Sequence, residues 1–137
     1  MKVALNTNGL MNNNIDAQLN GELFMNSKTL VINLMSSPEA GKATLLEETV
    51  KALSHKYRIG VIKGDLATEK DVERIRQHGA KAVQINTYGG CHLDARMIAA
   101  TLPEFDLDEL DILFIENVRN YRMKESKKRS LCQRFWL

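Results

Sequence analysis

Very little in this sequence suits a secreted, disulfide-braced or membrane-bound protein. Two cysteines, Cys91 and Cys132, give no disulfide framework. The default setting for such a chain is a reducing cytoplasm. No apolar run approaches the roughly 20 residues of a membrane span. The first 21 residues are polar and Asn-rich, where a secretory leader would be basic and then apolar. There are no internal repeats. Aromatic side chains make up only 6% of the chain, and no stacking set for nucleic acid is present. What remains is 137 residues of ordinary apolar and charged content, enough for one domain around one core.

Charge is unevenly spread. From Arg119 onward there are seven basic residues and one acid, Glu125, so that segment carries +6. The other 12 basic and 16 acidic residues leave the body at −4. A basic end can bind nucleic acid or anionic lipid, but a solvated end is the commoner case.

The chain divides into three. Residues 1–18 read as disordered, because "NTNGLMNNN" cannot form a core; a short helix is expected over Ile15–Phe24. Residues 19–118 alternate regularly. "TLVINLM", Thr29–Met35, is a branched apolar run suited to a buried parallel strand. "KATLLEETVKALSHKY" follows, with Leu45, Leu46, Val50 and Leu53 at helical spacing. "RIGVIK" predicts a second strand, Arg58–Lys63. Thr68 with Asp71 resembles a capping box for "EKDVERIRQH", and Gly79 is a natural helix stop. "KAVQI" is a third strand, "CHLDARMIAATL" a helix and "DILFIE" a fourth strand. The order β-α-β-α-β-α-β predicts an α/β fold, a mainly parallel sheet with helices on both faces. Residues 119–137 form a divergent basic tail, where the alternation stops.

The junction of the first strand and its helix carries the strongest chemical signal. A phosphate-cradling loop follows the pattern G-x-x-x-x-G-K-[ST] between a strand and a helix. Here the eight residues are Ser36, Ser37, Pro38, Glu39, Ala40, Gly41, Lys42 and Ala43. Backbone N–H groups and the helix N-terminus favour phosphate there, and Lys42 is placed to reach it. Two residues oppose this. Glu39 puts a carboxylate near the phosphates, unfavourable by roughly 1 kcal/mol in water at ~4 Å and more at lower dielectric. Ala43 removes the hydroxyl that ligates Mg²⁺. Thr44 can donate to a phosphate but is misplaced for the metal. Asp65, in "KGDLAT", and Glu116, closing "DILFIE", sit at other strand ends, where ligands of open α/β sheets bind. Cys91 and His92, after two glycines and at an expected helix start, suit Zn²⁺ or Ni²⁺, but a pair is not a closed site.

Together these stretches resemble a known family. "NLMSSPEAGKATLLE", "GDLATEKDVERIRQHGAKAVQINTYGGCHLDARM" and "LDELDILFIENV" are similar to the hydrogenase nickel-incorporation GTPases, HypB, from about Leu19 to Val118. The resemblance implies a P-loop NTPase of the metal-chaperone GTPase branch. It implies a GTP-dependent homodimer that hydrolyses GTP with Mg²⁺ and delivers nickel to the hydrogenase large subunit alongside other maturation partners. Ser37, Pro38, Ala40, Gly41, Lys42, Ala43 and Thr44 then correspond to the nucleotide loop. Lys42, Asp65 and Glu116 correspond to the catalytic positions, with Asp65 and Glu116 on the magnesium side. Cys91 and His92 correspond to the metal pair, for nickel or zinc.

The departures from that family point to an impaired member whose domain is incomplete at the C-terminus. The family has glycine at Glu39, a hydroxyl residue at Ala43, glycine at Arg119 and a further cysteine at Met123. Ser36 is common in it. The guanine-reading N-K-x-D motif is absent, and everything after Val118 diverges together. A frameshift near that point accounts for this, and translating the downstream DNA in the other two frames tests it. The alternative is a non-catalytic remnant that at most binds a transition metal or dimerises. With the end of the sheet lacking, an exposed apolar edge is expected.

Overall fold

The computed structural model describes residues 2–36, 41–64, 69–86 and 93–118. In chain order they form α1 (Lys2–Asn26), β1 (Leu30–Ser36), α2 (Lys42–Leu53), β2 (Ile59–Lys63), α3 (Glu69–Gln77), β3 (Lys81–Gln84), α4 (Ala95–Thr101) and β4 (Ile112–Val118). A 3₁₀ turn, Leu102–Glu104, prolongs α4. All strand pairs are parallel, in the order β1-β4-β2-β3. This is the parallel α/β sheet that the alternation predicts.

Both faces of the sheet are covered, and the strand alternation shows how. Ile59 and Val61 of β2 and Ile112 and Phe114 of β4 pack with Leu46 and Val50 of α2 and Val72 and Ile75 of α3. Their neighbours Ile62, Leu113 and Ile115 pack instead with Leu93, Ile98 of α4, Leu102 and Phe105, with Phe24 of α1 at the margin. Side chains of successive strand residues point to opposite faces, so one run such as "ILFI" serves two cores. Each such buried aliphatic side chain contributes about 1.5–3 kcal/mol over leaving it exposed.

Four elements differ from the sequence expectation by more than one residue at an end. Helix α1 starts at Lys2 rather than Ile15. No proline precedes Pro38, so the asparagines of "NTNGLMNNN" cost only tenths of a kcal/mol each and Gly9 about 1 kcal/mol. The far half of α1 is anchored where the buried Asn20 amide donates to the Ala95 carbonyl at 2.8 Å. Helix α2 stops at Leu53, with Ser54 as its C-cap. Of its expected apolar stripe, Leu46 and Val50 are buried but Leu45 is 59% exposed.

Helix α4 begins at Ala95, later than expected. Asp94 is its N-cap, in extended backbone, and its carboxylate accepts from the Met97 N–H at 2.8 Å. Asp94→Ala is expected to lower stability by about 1 kcal/mol in denaturant unfolding, the usual cost of an N-cap. Finally, β4 runs past Glu116 to Val118, with Met35 opposite Asn117 and Ser36 opposite Val118.

Among the described residues β1 pairs only with β4, leaving its other edge without a strand. Leu30 on β1 and Ile15, Leu19 and Leu23 at four-residue intervals on α1 are exposed. No helix among the described residues is long and apolar enough to cross a membrane.

Candidate phosphate site

The start of α2 meets the carboxyl end of β4, which lies between β1 and β2 in the sheet. Gly41 precedes α2 with φ +81° and ψ 13°. A Cβ there would meet nothing within 4 Å, so glycine serves the left-handed backbone itself rather than a tight fit. The chain therefore turns sharply from the segment after β1 into the helix. The Gly41 carbonyl accepts from the Leu45 N–H at 2.9 Å, opening the helical ladder. Amide N–H groups of the first turn are left without helical partners, as at any helix start.

Lys42 is the first residue of α2 and is buried, 9% exposed. Its ammonium donates to the Asn117 carbonyl at 2.8 Å. That contact ties the start of α2 to the end of β4. A lysine held this way presents its charge at the sheet edge with little freedom left to lose on meeting an anion. Ala43 and Thr44 follow on the first turn and are exposed.

Glu116 lies within β4, two residues before its end rather than at it. It is opposite Lys63, the last residue of β2, in the parallel register. Both share the strand parity of Val61 and Phe114, so they face α2 and α3. The Lys63 ammonium is 3.1 Å from Glu116 Oε2, and each side chain is only 2% exposed. Oε2 accepts no well-formed hydrogen bond, so the attraction is mainly Coulombic. Neither charge has access to water, and each requires the other.

The other face of β4 holds a second anchor. The Asn117 Oδ1 accepts from the Leu93 N–H at 3.1 Å. Leu93 also lies over Gly64, where a Cβ would come within 2.2 Å of the leucine Cγ. Gly64 is glycine because no side chain fits under Leu93. The Gly64 N–H donates to the Glu116 carbonyl at 2.9 Å, continuing the β2–β4 ladder.

The structure thus brings Gly41, Lys42 and Glu116 to one edge. Ser37, Pro38, Glu39, Ala40, Asp65, Thr68, Cys91, His92, Arg119 and Met123 lie outside the described residues, as does the basic tail. Asp94 caps α4, so the helix begins at Ala95 rather than at Cys91 as the sequence suggests. Among the described residues no group of three or more His, Cys, Asp or Glu side chains is placed to hold a metal. Lys63, Gly64, Leu93 and Asn117 were not singled out from sequence. One signal was available: a lysine ending the wholly buried strand "IGVIK" needs a carboxylate, and Glu116 ends the neighbouring apolar run.

Known proteins share this sequence pattern and fold. The family described as CobW/HypB/UreG, nucleotide-binding domain, matches residues 30–130. The chain is 51% identical over 108 residues to the hydrogenase maturation factor HypB of Escherichia coli (strain K12), covering 79% of this chain and 37% of that protein. It is 40% identical over 104 residues to the probable hydrogenase maturation factor HypB of Methanocaldococcus jannaschii, covering 76% and 47%. The crystal structure of HypB from Archaeoglobus fulgidus superposes with a TM-score of 0.74 at 37% identity, over 82% of this chain and 55% of that one. HypB from Helicobacter pylori in complex with nickel superposes with a TM-score of 0.67 at 38% identity, over 80% and 52%. The chain therefore spans between about a third and a little over half of the proteins it resembles.

Proposed function

We propose that this chain, which belongs to the CobW/HypB/UreG nucleotide-binding family, binds the phosphates of GTP at the β1–α2 junction and serves in hydrogenase maturation. One observation carries the reading. Lys42, buried behind a left-handed Gly41 at the helix start, is fixed at the carboxyl end of the sheet by the Asn117 carbonyl. A helix N-terminus with free amides and a fixed ammonium is an anion site by construction. Thr44 would add a hydroxyl.

The residues at the site do not fit a resident Mg²⁺. Glu116, the acid assigned to the magnesium side, is already committed to Lys63. The position after Lys42 is Ala43, which offers no ligand. Asp65 alone would remain. GTP hydrolysis relies on a divalent ion to neutralise charge as the phosphoryl group transfers. We therefore read the chain as a GTP binder with little hydrolytic activity.

Cys91 and His92 are the candidate ligands for nickel or zinc. Two ligands leave a transition metal under-coordinated, so a second copy of the chain would complete the site. That places a homodimer, and delivery of nickel to the hydrogenase large subunit in the cytoplasm, within the same reading. The second reading, a non-catalytic remnant that at most dimerises or binds a metal, is favoured by the Lys63–Glu116 pair and Ala43.

Titration with fluorescent GTP and ATP analogues, paired with a phosphate-release assay, separates the two. Saturable binding that unlabelled GTP displaces better than ATP, with phosphate release near background, is expected. Absence of saturable binding to either nucleotide would leave only the remnant. Rapid Mg²⁺-stimulated phosphate release would contradict the impaired reading.

A further inference from the structure

Among the described residues the buried charged side chains are Lys42, Lys63 and Glu116. Lys63 and Glu116 meet at 3.1 Å, directly across the β2–β4 register, on the α2 face of the sheet. Lys42 donates to the carbonyl of Asn117, the residue after Glu116. Among the described residues the cluster therefore holds two fixed cations and one carboxylate, a net +1, at the edge where phosphates are proposed to bind. We propose that the Lys63 ammonium takes the place of a divalent cation here, so that this chain binds nucleoside triphosphate independently of Mg²⁺. The proposal rests on the nucleotide-binding reading and deepens it.

Three observations support it. First, an ammonium already occupies one side of the Glu116 carboxylate, and a divalent ion on the same group would face it at close range and repel it. Second, Glu116 is 1% exposed, whereas Mg²⁺ sheds its water shell reluctantly and takes carboxylates that its hydrated form can reach. Third, Ala43 supplies no oxygen at the position that follows the lysine. The charge that a metal would contribute is instead built into β2. Glu116, neutralised internally, no longer repels a triphosphate, and Lys42 is left to attract it.

The full chain is titrated with a fluorescent GTP analogue in excess Mg²⁺ and in excess EDTA. The two dissociation constants are expected to agree within about threefold, under 1 kcal/mol. A tenfold or greater preference for Mg²⁺ overturns the proposal. Lys63→Gln keeps a hydrogen-bond donor toward Glu116 but removes the charge. It is expected to weaken binding in EDTA about tenfold or more relative to the parent, with Mg²⁺ restoring part of the loss, while Lys63→Arg behaves as the parent. A Lys63→Gln chain with the parent's circular dichroism spectrum and unchanged binding in EDTA overturns it as well.

A further arm needs no variant of Lys63 and no nucleotide. Mn²⁺ alone is added to the full chain, and its electron paramagnetic resonance signal is expected to stay that of the free ion. Loss of that signal in the parent, abolished by Glu116→Gln, overturns the proposal. If no GTP analogue binds in either buffer, the nucleotide reading falls and the proposal falls with it. A silent Mn²⁺ arm would then mean only that Lys63 excludes metal from Glu116.

Discussion

Lys63→Met is expected to destabilise the fold by about 3–5 kcal/mol, the usual cost of removing one partner of a buried ion pair. Methionine has nearly the reach of the lysine stem, so packing is largely kept and the loss is electrostatic. Glu116 would be left as a carboxylate 1% exposed, between β1 and β2 in the middle of the sheet. Little water could reach it, and its Oε2 accepts no well-formed hydrogen bond. Against a typical total stability of about 5–15 kcal/mol, such a loss removes a large share.

The companion experiment makes the cause explicit. Lys63→Met combined with Glu116→Leu removes both charges and fills the space with apolar atoms. The double variant is expected to lie within about 1 kcal/mol of the parent, far from the sum of the singles. Urea unfolding of the four proteins closes the cycle. Single variants that each lose less than about 1 kcal/mol would mean the pair is solvated and not the enclosed one described above.

The second large effect concerns binding. Lys42→Ala is expected to weaken GTP binding about a hundredfold or more, equivalent to about 2.7 kcal/mol. The variant removes the fixed cation while leaving Gly41 and the helix amides in place. Stability should change far less, by about 1 kcal/mol, because the Asn117 carbonyl loses a single donor near the sheet edge. The contrast between the two readouts matters. A purely structural lysine would move stability and affinity together, and an affinity unchanged by Lys42→Ala would remove the phosphate site from this position.

Much of this architecture is legible in the sequence because the periodicities are clean. The apolar runs of β2 and β4 are strands buried on both faces, and short strands alternating with helices favour a parallel arrangement; β1, expected to be buried as well, is instead an outer strand whose residues 30–35 are half-buried or exposed. Gly79, with φ +92°, ends α3 as its composition suggests. Gly41 and Lys42 fall at the strand–helix junction for the same reason. What the sequence hides is tertiary. Nothing local distinguishes Asp94 as the true N-cap of α4 from a residue inside that helix. The extent of α1 depends on Asn20 reaching the Ala95 carbonyl, 75 residues away. Glu116 reads as a strand-end acid free to serve a metal until the register sets Lys63 opposite it. Pairings of that kind follow from strand order, and strand order is not written in any one segment.

Hydrogen–deuterium exchange of the full chain, with and without saturating GTP, tests the central claim most directly. Amide exchange reports local protection where a ligand engages the backbone. The account predicts slowed exchange concentrated in peptides covering the end of β1, the 37–41 segment and the first turn of α2, with a smaller effect at the end of β4. Protection absent from those peptides, or confined to α1 or α3, would contradict it.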